Sequence, residues 1–272
     1  MKLSEVQAQR YSRHFVLKEV GVSGQKKLLS SKVLVIGAGA LGSSAIMYLA
    51  AAGVGTIGIC DYDEVDLSNL QRQIIHKTNS VGKEKVVSAR DAVSELNPDV
   101  QVVLHRQRLT ADNIQGVIER YDFILDCTDR FETKFLINDA CVLYKKPYCH
   151  AGVVRFGGQV MTYVPGYGPC LRCLLGNVPE DSLTCAEAGV LGAVTGVMGS
   201  IQATEAIKYL LGIGQLLVGR VMRFDGLNGD MGVTNFAHSD PECAVCGAKP
   251  TIKSLIDNSS DYEVKSCGLG DV

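Results

Sequence analysis

Three glycines, a trailing acid and a polar loop carry the first chemistry in this chain. Gly37, Gly39 and Gly42 fall in G-x-G-x-x-G spacing. Glycine lets a backbone turn tightly and approach a phosphate, and the N–H groups at the start of the following helix attract that anion. About twenty residues beyond the glycines, Asp61 stands where a carboxylate would reach a ribose hydroxyl. The reading is a nucleotide site. The stretch DYDEVDLSNLQRQ then supplies Asp63, Asp66, Asn69, Gln71, Arg72 and Gln73. Beside a phosphate-binding turn such a cluster suits the handling of a triphosphate; a solvated loop tied by Asx turns is the alternative. Lys83 and Lys85 fall in the first turn of the next predicted helix, where positive charge opposes the helix dipole unless an anion is near. Either one of them faces phosphate or both are solvated. Asp126-Cys127-Thr128-Asp129 ends a short apolar run, and Asp129 is the candidate for holding Mg²⁺, which takes carboxylate and phosphate oxygens. Asp126 serves equally well as a cap or turn residue for the helix that follows.

Sulfur carries the second signal. Cys170 and Cys173 form one Cys-x-x-Cys pair and Cys243 and Cys246 another, each beside proline or glycine. Together they supply four thiolates to a tetrahedral Zn²⁺, pinning the C-terminal region to the main body. A redox dithiol is the rival for either pair alone. A closed four-sulfur site leaves no open position, so it is structural. Cys185 stands apart, in a polar segment (Asp181 to Glu187) near a helix start, conditions that lower a thiol pKa. It is either a reactive thiol or an inert one. Cys60, Cys127, Cys141 and Cys149 sit in apolar elements and read as core; Cys267 lies in a polar tail.

The elements that must position these residues alternate. Val33 to Ile36 is an apolar run of the kind buried on both faces of a parallel sheet. The glycines open a helix from Leu41 to about Ala52, and Thr56 to Cys60 is the next strand. Val81 to Leu96 is an amphipathic helix stopped by Asn97-Pro98. Val100 to Leu104 and Phe123 to Leu125 are strands separated by a helix over 111–120, and a helix over 131–144 leads to a strand at 147–153. Residues 156–164 and 220–236 are rich in β-formers and glycine and extend one edge as antiparallel strands. From Val190 to Leu210 apolar and small residues keep helical spacing nearly all round, so this helix is buried, in the body or at a dimer interface. Residues 4–29 read as two short helices carrying Arg10, Arg13 and His14, by composition a solvated arm. The fold class is α/β: a doubly wound, mostly parallel sheet with an antiparallel C-terminal extension.

Composition narrows the function classes. The chain has 272 residues, enough for one large α/β domain, and its 27 basic residues against 29 acidic give no field suited to nucleic acid or anionic lipid. No apolar run reaches membrane-spanning length and the N-terminus is polar, so neither a membrane nor a secretory signal is expected. With ten cysteines and no signal, a cytoplasmic metal site is favoured over a disulfide framework.

Taken together, RYSRHF, VIGAGALG, DYDEVDLSNLQRQ, DCTD, CLRC, LTCAEAGV and CAVCG make the chain from residue 5 to 257 resemble the ThiF/MoeB/HesA family, bacterial relatives of ubiquitin-activating enzymes. The resemblance implies one Rossmann-like adenylation domain over 1–272: a helical arm (1–30), a nucleotide-binding part (31–154), a carrier-binding and zinc part (155–257) and a tail (258–272). It implies a homodimer that uses ATP and Mg²⁺ to adenylate the C-terminal glycine of a small ubiquitin-like sulfur-carrier protein of the ThiS/MoaD type. Gly37, Gly39 and Gly42 would line the nucleotide and Asp61 would hold the ribose. Asp63 belongs to the same nucleotide set. Asn69, Arg72, Gln73 and Lys85 would grip the phosphates, and Asp129 would bind Mg²⁺. Arg13 resembles the family's arginine that reaches into the partner subunit's site. Cys185 matches a mobile-loop cysteine that enters thiol chemistry in some members only. With no room for a sulfurtransferase domain past Asp257, sulfur would come from a separate sulfurtransferase or cysteine desulfurase. A tRNA-directed sibling of the same superfamily, a nicotinamide-dependent oxidoreductase and a non-catalytic partner protein are the alternatives.

Overall fold

The sheet order explains why the chemistry converges. In the computed structural model, which describes residues 3–177, 188–236 and 238–263, eight strands form one sheet in the order β3-β2-β1-β4-β5-β6-β7-β8. The strands are β1 (Lys32–Ile36), β2 (Thr56–Cys60), β3 (Gln101–His105), β4 (Phe123–Asp126), β5 (Tyr148–Val154), β6 (Gly157–Tyr163), β7 (Arg220–Asp225) and β8 (Asp230–Asn235). β1 to β5 pair in parallel, with Val33 opposite Ile57 on one side and Phe123 on the other. From β5 onward the pairing is antiparallel. The order reverses at β1, whose neighbours β2 and β4 lead the chain in opposite directions, and a crevice opens there at the carboxyl ends of the strands. β1 and β4 are apolar because helices cover both faces.

One face is covered by α3 (Gly21–Ser30), α4 (Ala40–Ala52), α5 (Lys85–Leu96) and the long C-terminal helix Gly192–Leu211. Leu41, Ala45, Ile46 and Leu49 of α4 share a core with Met198, Ala203, Ala206 and Leu210 of that helix. The two backbones touch: a Cβ on Gly199 would lie 2.3 Å from the Leu41 carbonyl oxygen. The other face packs α6 (Ile114–Ile118) and α7 (Phe131–Leu143) with the cysteine pairs. The long helix is thus buried in its own chain. It is less uniformly apolar than its sequence suggests, because Thr195, Gln202 and Glu205 are on its buried side. Thr162 Oγ1 and the Leu217 N–H both donate to Glu205.

Several boundaries differ from expectation for local reasons. The N-terminal segment is three helices, α1 (Glu5–Arg10), α2 (Ser12–Val16) and α3, because Tyr11 leaves the helix to bury its ring beside Gly53. Asn97 Nδ2 donates to its hydroxyl at 2.9 Å. The arm is therefore fastened to the body. α5 starts at Lys85 and not Val81, since Gly82 takes φ +80° and residues 82–84 pair with the polar loop. α6 is shorter than predicted because a Thr110–Asn113 side-chain turn precedes it. Among the described residues no helix is long and apolar enough to cross a membrane.

Candidate functional site

At the carboxyl ends of β1, β2, β4 and β5 lies a cavity of about 1010 Å³, which continues over β6 to β8. The glycine turn forms its floor. Gly37 adopts φ +97°, and a Cβ there would stand 2.7 Å from the Cys127 carbonyl oxygen. At Gly42 a Cβ would stand 2.0 Å from the Gly37 carbonyl oxygen, so the helix packs onto the turn only without a side chain. Gly37 and Gly39 line the cavity; Gly42 supports them from behind.

Asp61, at the end of β2, accepts from Ala38 N–H at 2.8 Å and from Asp63 N–H at 2.9 Å, which ties the two sides of the crevice together. Burial raises its pKa, and the nearby Lys85 and these two N–H groups pull the other way. Lys85, buried at the start of α5, donates to Asp63 at 2.8 Å; the Asp63 side chain is half exposed. Arg72 donates to the Ser68 carbonyl at 3.0 Å from a loop held under the long helix. Gly192, that helix's first residue, lies where a Cβ would be 2.6 Å from the Gln71 carbonyl oxygen. Gln73 is buried and lines the cavity, and its Oε1 has no hydrogen-bond partner. A buried acceptor left unpaired at a cavity wall is placed to take a hydrogen bond from a donor that enters the cavity. Asp129, exposed on the β4–α7 loop, completes the ring.

Two expected residues sit elsewhere in this chain. Asn69 lies outside the cavity lining, and its Oδ1 accepts from Asp66 N–H while Asp66 accepts from Ser68 N–H, closing a capping box on the short 3₁₀ turn Leu67–Asn69. Arg13 is exposed on α2, away from its own cavity. Cys185 and the rest of its segment, like Cys267, lie outside the described residues. Lys83 precedes α5, so only Lys85 opens that helix.

The structure adds Lys134, His150 and His76, which the sequence did not single out, and gives Asp126 more than the turn bond expected of it. Asp126, fully buried, receives the His150 Nδ1–H at 2.7 Å, the Thr128 N–H and hydroxyl, and Lys134 Nζ at 3.5 Å. Burial alone would raise its pKa, but Lys134 and His150 outweigh burial and hold the carboxyl well below the usual range. Burial and Lys134 keep His150 neutral by lowering its pKa. A lysine leading directly into an apolar run, K-F-L-I, was the available signal for Lys134. His76 is also buried, bonded through Nε2 to the Ala38 carbonyl and through Nδ1 to Ser88 Oγ, both at 2.9 Å.

Away from the cavity, Cys170, Cys173, Cys243 and Cys246 come together in a group that could hold a metal ion, their sulfurs all within 4.8 Å of one another. Cys170 and Cys173 flank and enter the short helix α8 (Leu171–Leu175). Zn²⁺–thiolate bonds of about 2.3 Å imply tetrahedral S···S edges of about 3.8 Å. The closest recorded contacts are 3.3 to 3.9 Å. The Asp240 N–H points at Cys173 Sγ, as in metal–thiolate second shells. Between the first pair, Arg172 makes a buried bidentate ion pair with Asp139 of α7, and Asp139 also accepts from the Tyr262 hydroxyl at 2.7 Å. Part of the segment expected to be a tail is thus docked.

Comparison with known proteins gives a match to the ThiF family over residues 11–245. The chain is 46% identical over 267 residues to "Adenylyltransferase and sulfurtransferase MOCS3" of Culex quinquefasciatus, covering 97% of this chain and 61% of that protein. To the protein of the same name from Bos taurus it is 44% identical over 260 residues, covering 95% and 57%. The chain therefore spans about 60% of the length of the curated relatives it matches. Among solved structures, E. coli MccB with MccA-N7isoASN aligns with TM-score 0.78 at 24% identity, over 90% of this chain and 76% of that one. E. coli MccB with ATP aligns with TM-score 0.76 at 24% identity, over 87% and 74%. At that identity the likeness concerns the fold.

Proposed function

The chain belongs to the ThiF family, and from that premise we propose that it adenylates the C-terminal glycine carboxylate of a small ubiquitin-like sulfur-carrier protein, releasing pyrophosphate from ATP. The observation that carries this reading is the meeting of Arg72, Lys85 and Asp129 around one cavity with the Gly37–Gly39 turn. In the reaction a carboxylate oxygen bonds to the α-phosphorus while the bond to the bridging oxygen of pyrophosphate breaks. Two anions must meet and charge grows on the leaving oxygens, so fixed cations in a water-poor crevice are what the step requires. No general base is needed, because a carboxylate attacks already ionised. Consistent with this, the buried His150–Asp126 pair beside the cavity is occupied with Lys134 and Thr128.

In this reading Asp61 holds the ribose, Arg72, Lys85, Gln73 and Asn69 serve the phosphates, and Asp63 releases Lys85 to the nucleotide. Asn69 would have to give up its capping bond to Asp66. Mg²⁺ would neutralise phosphate oxygens, and Asp129, exposed at the cavity rim, is the residue to hold it. The four cysteines fit Zn²⁺ in a structural role, since four sulfurs leave no position open to a substrate. Arg13, remote from its own cavity, serves the partner's site in a homodimer. The carrier's tail would run over β6 to β8. Sulfur comes from a separate sulfurtransferase or cysteine desulfurase, for thiamin, molybdopterin or a related sulfur-containing cofactor, in the cytoplasm. Cys185 would receive the activated carrier or a sulfur species, if it takes part at all in this member.

The test is ATP–pyrophosphate exchange with each of the host's small carrier proteins ending in Gly-Gly. Exchange with one carrier establishes the reaction and its pathway together. ATP binding without exchange redirects the reading to the tRNA-directed sibling or a non-catalytic partner, and absence of ATP binding overturns it.

A further inference from the structure

We propose that His76 is a positioning residue for the nucleotide phosphates: its Nε2–H holds the Ala38 carbonyl so that the next peptide N–H, that of Gly39, faces the cavity. This rests on the nucleotide-binding part of the reading above and is independent of which acyl substrate is used.

The tautomer is fixed by the partners. A backbone carbonyl only accepts, so the ring nitrogen 2.9 Å from the Ala38 oxygen carries the hydrogen. Nδ1 is then left as an acceptor for the Ser88 hydroxyl, also at 2.9 Å. Both partners and the ring are buried, so no water competes. Burial and the neighbouring Lys85 keep the imidazole neutral.

What the bond controls follows from peptide geometry. A trans peptide points its C=O and N–H in opposite directions, and no cis peptide occurs among the described residues. Holding the Ala38 oxygen toward His76 therefore aims the Gly39 N–H away from it, on the side where Gly37, Gly39 and Ala40 line the cavity. Among the described residues that N–H donates to nothing. The preceding peptide is fixed independently, because Ala38 N–H donates to Asp61 at 2.8 Å. Ala38 is thus clasped from both sides, by the ribose-side acid through its N–H and by His76 through its C=O. Gly39 has no side chain to restrict rotation of this peptide, and a Cβ there would meet only the Gln73 amide, no nearer than 3.6 Å. Among the described residues no other hydrogen bond holds this peptide, so without His76 it is free to turn its N–H away from an anion.

Two substitutions separate the ring's two bonds. In His76→Asn the short amide stands in for Nδ1 and keeps a partner for Ser88 but falls short of Ala38. In His76→Gln the longer amide offers a donor where Nε2 was. Calorimetric titration of the full chain uses ATP and adenosine as probes. Expected for His76→Asn is an ATP Kd about tenfold weaker, about 1.4 kcal/mol, with adenosine binding unchanged; His76→Gln retains ATP affinity within about threefold, under 1 kcal/mol. Should His76→Asn fail to fold, His76→Phe with Ser88→Ala makes the same cut with an apolar ring and leaves no orphaned hydroxyl. Equal weakening of ATP and adenosine, or no weakening of ATP, overturns the proposal. If the wild type binds no ATP, the nucleotide reading fails and the proposal with it; if it binds ATP and the variants do not differ, only the proposal fails.

Discussion

Replacing Gly42 by alanine tests whether the glycine turn is a geometric device for the nucleotide and not merely a tolerated sequence. A Cβ built on Gly42 lies 2.0 Å from the Gly37 carbonyl oxygen, and real Cβ contacts essentially never fall below 3.0 Å. The turn or the helix must therefore retreat by about 1 Å, and a misplacement of that size at a reacting centre costs about 10²-fold in rate. The strain of overpacking should lower stability by about 1–3 kcal/mol. Gly116→Ala is the control: it lies in α6, outside the cavity lining, with nothing within 4 Å of its added Cβ. Alanine there is expected to stabilise by about 0.4–1 kcal/mol by restricting the unfolded chain. Thermal melts of both variants, with ATP titration and pyrophosphate exchange, give the comparison. Gly42→Ala with ATP affinity within twofold of wild type would refute the claim that the turn's backbone is what receives the phosphates.

Three other outcomes are expected. Cys173→Ser should reduce bound zinc toward zero, lower the melting temperature and release the docked C-terminal segment, read by metal analysis and protease sensitivity at Tyr262; full zinc content would refute the four-cysteine assignment. Arg13→Ala and Arg72→Ala should each abolish exchange as separate homodimers, yet regain activity when unfolded and refolded together, since a mixed dimer holds one intact site; no recovery refutes Arg13 acting across the dimer. Asp126 carries a depressed pKa, so the stability it contributes is complete above the ordinary carboxylate range and fades as pH falls toward its folded value. Acid melts of Asp126→Asn should consequently lose stability at neutral pH but show a shallower decline in acid than wild type. A parallel decline counts against the depressed pKa.

What could be read from the sequence was local. The strand–glycine–helix–strand unit and the paired cysteines declare themselves in short windows, because the φ of Gly37 and the spacing of Cys170 and Cys173 are set within a few residues. Asp61 was also legible, from its distance along the chain. Other assignments depended on contacts that a window cannot contain. Tyr11 breaks the first helix for a pocket formed by Gly53 and Asn97. His76 looks like a stray polar residue after Ile74-Ile75 until Ala38 and Ser88 are brought beside it. Asn69 shows the reverse case: its residue type suggested a ligand contact, and the local chain gives it a capping bond.

Counting donors divides three of the cavity's cations, Lys134, Arg72 and Lys85, into two kinds. Lys134 Nζ has three hydrogens and three acceptors, Asp126 and the carbonyls of Thr128 and Ala151. It has nothing left for a phosphate. Its effect is to join the loop after β4 to strand β5, which fixes the loop that presents Asp129; the buried charge is tolerated because Asp126 is ionised beside it. Arg72 has five N–H groups, and one of them donates to the Ser68 carbonyl. Lys85 gives one hydrogen to a half-exposed Asp63. Those two retain donors for an incoming anion, Arg72 from the polar loop itself and Lys85 from the start of α5 beside it, and neither stands on a strand. The saturated cation therefore shapes the crevice, and the unsaturated ones wait for charge to arrive. On this arithmetic Lys134→Met should impair the site by displacing Asp129, whereas Lys85→Met should leave the crevice in place and remove a phosphate contact.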